Sequence, residues 1–326
     1  MILIVSPVMI LLTMFLAIRY GTKPIDRETI QAAFFHFDPT NVNHQIIINS
    51  RLPRVIGALL IGAALAVSGA LMQGIIRNHL ASPGLMGVMD GSALAITLCM
   101  LLIPDASVLE RMFFSFFGSV LGGVLVFGLG SLLPNGLSPV RLAILGATTG
   151  TLLSGISSAL ATYYQIAQDI SFWYNARLHQ LNPEHLQLAA LFIAGGFVIA
   201  LLVSGTITVL TLGEEVAIGL GQRVAWIKGI AAIAVMLLTG VSVALVGKIG
   251  FVGLIIPHIT RYLVGVDYKW VIPCAGVLGG IFLAGADLGS RFLNYPFETP
   301  VGVITALIGV PFFLYLARTR GGNQHA

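Results

Sequence analysis

The chain has 326 residues, 57% of them hydrophobic and only 9% charged, with a mean hydropathy of +0.95. A soluble domain carries roughly 25% charged residues, so this composition excludes a disordered chain and an ordinary cytosolic enzyme. Lys and Arg number 17 against 13 Asp and Glu, a surplus too small and scattered for a phosphate-tracking surface, which argues against a nucleic-acid partner.

Charge-free stretches run over residues 1–18, 55–76, 112–140, 142–168, 185–213, 229–247, 270–286 and 299–317. Two more apolar segments, 84–104 and 249–265, are each interrupted by one charge, Asp90 and Arg261. A bilayer core needs roughly 20 helical residues, and continuously apolar runs do not suit barrel strands, which alternate. The expected fold is all-α, a polytopic integral membrane protein. Its ten transmembrane helices fall at about 3–20, 55–76, 84–104, 112–132, 140–164, 186–205, 229–247, 251–266, 271–290 and 300–318, in one domain over 1–326.

The first run has no basic residue before Arg19 and no small-x-small cleavage site, so it reads as a retained span. Residues 21–50 are polar with amphipathic portions. Residues 163–186 hold Tyr163, Tyr164, Phe172, Trp173 and Tyr174, which suit a headgroup-level aromatic belt. The third long connection is 206–228. Ten spans place both termini on one side, but Lys and Arg then divide eight to nine between the two faces, and the positive-inside rule gives no orientation.

Small residues recur at i, i+4 spacing. Gly62, Ala66, Ala70 and Gly74 mark the second span; Gly87, Gly91 and Ala95 mark the third. Such stripes let helix backbones approach, and packing is the expected role of both. The fifth span carries Gly146, Gly150, Ser154, Ser158 and Thr162 on one face. Its turn to hydroxyls fits a polar path as well as a helix contact. Residues 62–88 and 240–266 align without gaps, matching at Gly62/Gly240, Ala66/Ala244, Gly69/Gly247, Leu85/Leu263, Gly87/Gly265 and Val88/Val266. That pattern allows an inverted repeat and also allows chance.

Several chemistries are missing from the sequence. The Gly247-Lys248 pair is followed by Ile249, without the spacing of a phosphate-binding loop. His79, His179, His185 and His258 read as isolated, and Cys99 and Cys274 lie far apart, so no metal site and no cofactor is expected. An intramembrane hydrolase needs a nucleophile and a base at matched depth; Ser68, Ser154 and Ser204 each precede glycine but have no evident histidine partner. A self-sufficient secondary carrier usually keeps a carboxylate in mid-span. Asp90 lies near one end of its span, and Asp287 sits four residues before Arg291, the spacing of a helical ion pair. A transporter without energy chemistry of its own points to an external motor.

The motifs then converge. Arg51-Leu52-Pro53-Arg54 opens the second span, followed by residues 62–73 (GAALAVSGALMQ) and 78–87 (NHLASPGLMG). Further on stand 212–221 (LGEEVAIGLG), 250–261 (GFVGLIIPHITR), Asp287, Arg291 and 300–313 (PVGVITALIGVPFF). The chain resembles the FecCD permease family over nearly its whole length. These are the membrane subunits of binding-protein-dependent ABC importers for ferric siderophores, haem and vitamin B12. The resemblance departs at His79 in place of the usual proline, at Asp90 where a neutral residue is common, and in the segment 172–179. Residues 172–179 and 294–300 look most like the Feu-type permeases of Gram-positive bacteria, which import catecholate siderophores such as bacillibactin and enterobactin.

The resemblance implies a type II ABC importer permease in a bacterial cell membrane, with both termini cytoplasmic and no ATPase site of its own. Its implied partners are a second, related permease subunit, two copies of a cytoplasmic ABC ATPase and an extracellular siderophore-binding lipoprotein, with the ferric siderophore as cargo. The same fold importing cobalamin or haem is the first alternative. Leu212, Gly213, Glu214, Glu215, Val216, Leu220 and Gly221 become the ATPase-coupling segment; by pattern alone they fit an amphipathic connector on the bilayer. Leu137, Ser138, Pro139 and Val140 resemble the cytoplasmic gate, and Gly146–Thr162 the path. Arg51, Arg54 and Arg291 take the role of docking the binding protein, where residue type alone suggests snorkelling anchors.

Overall fold

The computed structural model describes residues 2–21, 24–79, 81–133, 139–174, 178, 181–295 and 297–321. Among them the regular elements are helices, and one isolated bridge pairs Asn294 with Phe297. Helix α1 is Ile2–Arg19, α2 Arg27–Phe35 and α3 Val42–Ile46. A π-helical turn, Ile47–Arg51, joins α3 to α4, Leu52–Ile76. A 3-10 turn at Pro83–Met86 precedes α5, Val88–Leu102; then follow α6 (Val108–Leu132), α7 (Pro139–Tyr163), α8 (Ala167–Tyr174) and α9 (Pro183–Thr211). The chain closes with α10 (Glu214–Gly219), α11 (Val224–Val246), α12 (Val252–Val264), α13 (Tyr268–Leu293) and α14 (Val301–Gly321).

Seven described helical stretches are long and apolar enough to cross a bilayer, with Val42–Ile76 counted as one. The segments Val88–Leu102, Val252–Val264 and Val301–Leu316 are apolar but shorter. At 1.5 Å per residue, the 15 residues of α5 and the 13 of α12 reach only about 22 and 20 Å, less than a hydrocarbon core of about 30 Å.

Local chemistry sets the ends. Ser107 and Glu110 form a reciprocal capping box that starts α6. Asn182 accepts from the Glu184 amide at 3.0 Å to start α9, with Pro183 in the first turn. Asp267 caps α13 through the Lys269 amide at 3.0 Å and also accepts from Thr208 Oγ at 3.0 Å, which ties α9 to α13. Helix α9 runs to Thr211, past the expected end of the sixth span at 205, and the Thr208–Asp267 contact holds its last turns against the start of α13.

Helices α4, α11 and α13 form the centre. The most apolar window of α4 is 78% buried and that of α11 72%, against 17% for α1 and 28% for α7. Close backbone approach holds this centre together. Gly62 faces the Gly279 carbonyl of α13, Gly69 faces Gly253 of α12, and Gly91 faces Gly118 and Gly122 of α6. A Cβ at any of these sites would collide with backbone. The small stripes of α4 and α5 are thus helix contacts, as expected.

The gapless alignment of 62–88 with 240–266 does not survive in the helix boundaries. Helix α4 ends at Ile76, whose counterpart Leu254 lies inside α12, while α11 ends at Val246, whose counterpart Ser68 lies in the middle of α4. Four of the six matches are the recurrent Gly and Ala of close-packed helices, and the helix boundaries of the two segments do not coincide.

Candidate functional site

Three regions gather the polar chemistry. The first is a node of buried charge. Arg54 on α4 places Nε and Nη2 2.9–3.0 Å from the Asp287 carboxylate of α13. Its Nη1 donates to both oxygens of Glu298 at 2.9 and 2.8 Å. Arg291, one turn after Asp287, donates to the same carboxylate at 2.6 Å and to the carbonyls of Ala17 and Tyr20 at 2.7 and 3.0 Å. Arg51 donates to the carbonyls of Ile18 and Arg19 at 2.5 and 3.2 Å.

The i, i+4 pair of Asp287 and Arg291 is therefore present as spacing suggested. The three arginines, however, are neither lipid-facing anchors nor an open surface. Their exposures are 7% for Arg51, 7% for Arg54 and 2% for Arg291, and their forks are occupied within the chain. The last carbonyls of a helix lack an intrahelical donor, and Arg51 and Arg291 donate to those of Ile18 and Ala17 at the end of α1. The partially open member is Glu298, whose side chain is 32% exposed.

The second region is the connector after α9. Gly213 adopts φ +134°, a conformation that L residues rarely reach, and turns the chain into α10. Leu212, Val216, Ile218 and Leu220 are exposed while Ala217 is fully buried. Leu212, Val216 and Leu220, at i, i+4 spacing, form an apolar ridge turned outward. Glu214 and Glu215 differ in a way the sequence did not distinguish. Glu214 binds the Lys228 ammonium of α11 at 2.6 Å and lies 3.5 Å from Arg77 at the end of α4. Lys228 is itself 2% exposed. Glu215 is exposed.

The third region is an open groove of about 520 Å³ along α7, lined by Gly84, Asp90, Gly146, Ala147, Gly150, Thr151, Ser154, Gly155 and Ser158. Of the stripe expected there, Gly146 and Gly150 are buried against neighbours, Ser154 is half-buried, and Ser158 and Thr162 are exposed. Four of those five residues line the groove; Thr162 lies one turn beyond and bonds the Ser158 carbonyl at 2.8 Å. Leu137 and Ser138 lie outside the described residues; Pro139 and Val140 begin α7. Asp90, in the lining of this groove, accepts from the Lys248 ammonium at 2.8 Å, a pairing across 158 residues that the sequence did not suggest. The structure also corrects the reading of isolated histidines. His79 and His258 meet edge to face with ring centroids 6.4 Å apart, and His258 packs on Phe312 at 5.7 Å. Among the described residues no cluster of three or more potential metal ligands occurs.

Seven membrane-length helices among the described residues, with an open groove along α7, define a multi-pass membrane protein. The chain belongs to the FecCD transport family, whose pattern it matches over residues 9–319. It is 57% identical to the iron-uptake system permease protein FeuB of Bacillus subtilis, over 99% of this chain and 97% of that one. It is 46% identical to the iron(3+)-hydroxamate import system permease protein FhuB of the same organism, over 97% of this chain and 83% of that one. A solved structure described as an inward-facing metal-chelate type ABC transporter superposes with a TM-score of 0.86 at 30% identity, covering 98% of this chain and 99% of that one.

Proposed function

We propose that this chain is the membrane permease subunit of a binding-protein-dependent ABC importer that carries a ferric siderophore, of catecholate type, into the cytoplasm. The observation that carries the reading is a hydroxyl-lined groove along α7 in a chain 57% identical, end to end, to an iron-uptake permease. Both termini face the cytoplasm, and a separate ATPase subunit supplies the energy. A second, related permease closes the groove from the other side, so that alternating access operates at the subunit interface.

Each end of the bundle then has a task. The exposed ridge Leu212, Val216 and Leu220 docks into a cleft of the ATPase. Glu214 carries the resulting displacement to α11 through Lys228 and to the end of α4 through Arg77. Gly213 and Gly221, both at positive φ, bound the moving unit. Pro139 and Val140, the first residues of α7, belong to the cytoplasmic gate. At the other end, Arg51, Arg54 and Arg291 order the face that meets the binding protein. Arg54 makes the direct contact, because its partner Glu298 is the exposed member of the node and an acidic group on the receptor can replace it. The fork of arginine holds such a carboxylate in a fixed orientation.

The deciding experiment is uptake of labelled ferric catecholates, ferric hydroxamates, haem and cobalamin in cells lacking this chain and in the same cells carrying it. Restoration of ferric catecholate uptake supports the reading. Restoration of haem or cobalamin uptake alone would reassign the cargo, and uptake that persists without any ATPase would replace the motor.

A further inference from the structure

The ion pair at the groove has no place in helix packing. Asp90 sits in the first turn of α5, and Lys248 lies in the irregular stretch between α11 and α12. Their carboxylate and ammonium are 2.8 Å apart, with side chains 21% and 33% exposed. The pair is thus neither sealed in the core nor on an outer face.

Its surroundings place it inside the bundle. Both α5 and α12 are too short to span a bilayer; the start of α12 lies against α4, and Gly87, just before α5, lies against Gly122 of α6 and Gly150 of α7. Gly253 contacts Gly69, Leu65 and Pro83. Gly69 lies seven residues before the end of α4 at Ile76, about 10 Å along the axis. The break between α11 and α12 therefore reaches into the membrane. Irregular backbone at such depth is tolerated where protein or a water-filled cavity covers it, and the groove is that cavity. Asp90 lines the groove, and its Oδ2 lies 2.7 Å from the position a Cβ on Gly150 would take. One carboxylate thus touches Lys248 on one side and the backbone of α7 on the other. Charged groups at membrane depth are costly and mark solute pathways. An apolar or hydroxyl pair would hold α5 to the α11–α12 break without that cost.

We propose that Asp90 and Lys248 form a charge filter in the translocation groove, selecting anionic over neutral iron chelates. The inference rests on the chelate-importer reading. Ferric iron held by three doubly charged catecholates is a trianion, whereas iron held by three singly charged hydroxamates is neutral. At rest the two side chains neutralise each other. An anionic chelate entering along Ser154 and Ser158 offers the ammonium a better partner than one carboxylate and takes Asp90's place. A neutral chelate offers no such exchange and leaves the pair intact at the groove wall. No covalent step is involved.

The test is uptake of the ferric tris-catecholate trianion and a neutral ferric tris-hydroxamate, in cells carrying wild type, Lys248→Gln, Asp90→Asn or the double neutral variant. Membrane abundance is measured for each. The wild-type arm alone tests the importer reading; the variants test the filter. Lys248→Gln leaves an unpaired carboxylate in the path, and the ratio of trianion to neutral uptake should fall at least tenfold. Asp90→Asn removes the carboxylate's charge from beside the ammonium, and the KM for the trianion should fall severalfold. The double variant, which keeps a hydrogen bond and loses both charges, should have a trianion-to-neutral ratio severalfold below wild type and above that of Lys248→Gln. It carries the test if a single variant fails to reach the membrane. Variants that lower uptake of both chelates in equal proportion, or a double variant with the wild-type ratio, would overturn the filter and leave the pair as a brace.

Discussion

The arginine node and the α7 groove use charge in opposite ways. In the node, Asp287 receives two guanidinium groups and is 1% exposed, so its charge is committed before any partner arrives. In the groove, one carboxylate meets one ammonium and both remain partly open. The lesson is that burial decides what an ion pair can do. Breaking a buried pair by removing one partner leaves an uncompensated charge and costs about 3–5 kcal/mol; a half-open pair can change partners.

The comparison breaks most visibly at Asp287. Asp287→Ala should destabilise the protein by about 3–5 kcal/mol, because it strands Arg54 and Arg291. Glu298→Ala should cost about 1 kcal/mol or less, since water reaches that carboxylate. Thermal unfolding in detergent checks both, and equal losses would mean that the node is not centred on Asp287.

Glycines sharpen the same contrast. Gly91→Leu drives a side chain into the backbone of α6 and should cost at least about 1–3 kcal/mol. Gly155 has nothing within 4 Å of its missing Cβ and lines the groove. Gly155→Leu should shift stability by about 0.5 kcal/mol or less and still obstruct uptake. Unfolding and uptake measured on the same preparations separate the two outcomes.

A smaller effect is expected at the connector. Glu214→Lys places a second cation on Lys228 and should uncouple ATP hydrolysis from uptake with little loss of protein. Glu215→Lys alone should leave coupling within about twofold, since that side chain faces solvent. ATPase rates of the assembled transporter, with and without loaded receptor, check the pair. Equal behaviour of the two variants would remove Glu214 from the transmission path.

The helical class was legible because apolar length needs no partner to be read. The Asp287–Arg291 pair was legible for the same reason, both residues lying on one helix. The Arg54–Asp287 contact joins residues 233 positions apart, and nothing local marks it. The continuation of α3 through the π turn into α4 was missed because Arg51 and Arg54 look like a polar boundary. Their charges are in fact neutralised inside the bundle or bonded to the end of α1. The short lengths of α5 and α12 were masked by apolar residues that continue past each helix end. Glu214 and Glu215 were read as a pair because spacing cannot tell which one faces Lys228.

The central claim is that the α7 groove carries the cargo, and thiol accessibility tests it most directly. Both native cysteines, Cys99 and Cys274, are buried and give little background. Cysteines placed at Ser154 and Ser158 in the assembled transporter should react with a membrane-impermeant thiol reagent, and saturating ferric catecholate with loaded receptor should slow that reaction at least severalfold. Cysteine at Leu152, exposed on another face of α7, should show no such protection. Unreactive cysteines at both serine positions, or labelling that cargo does not change, would contradict the account.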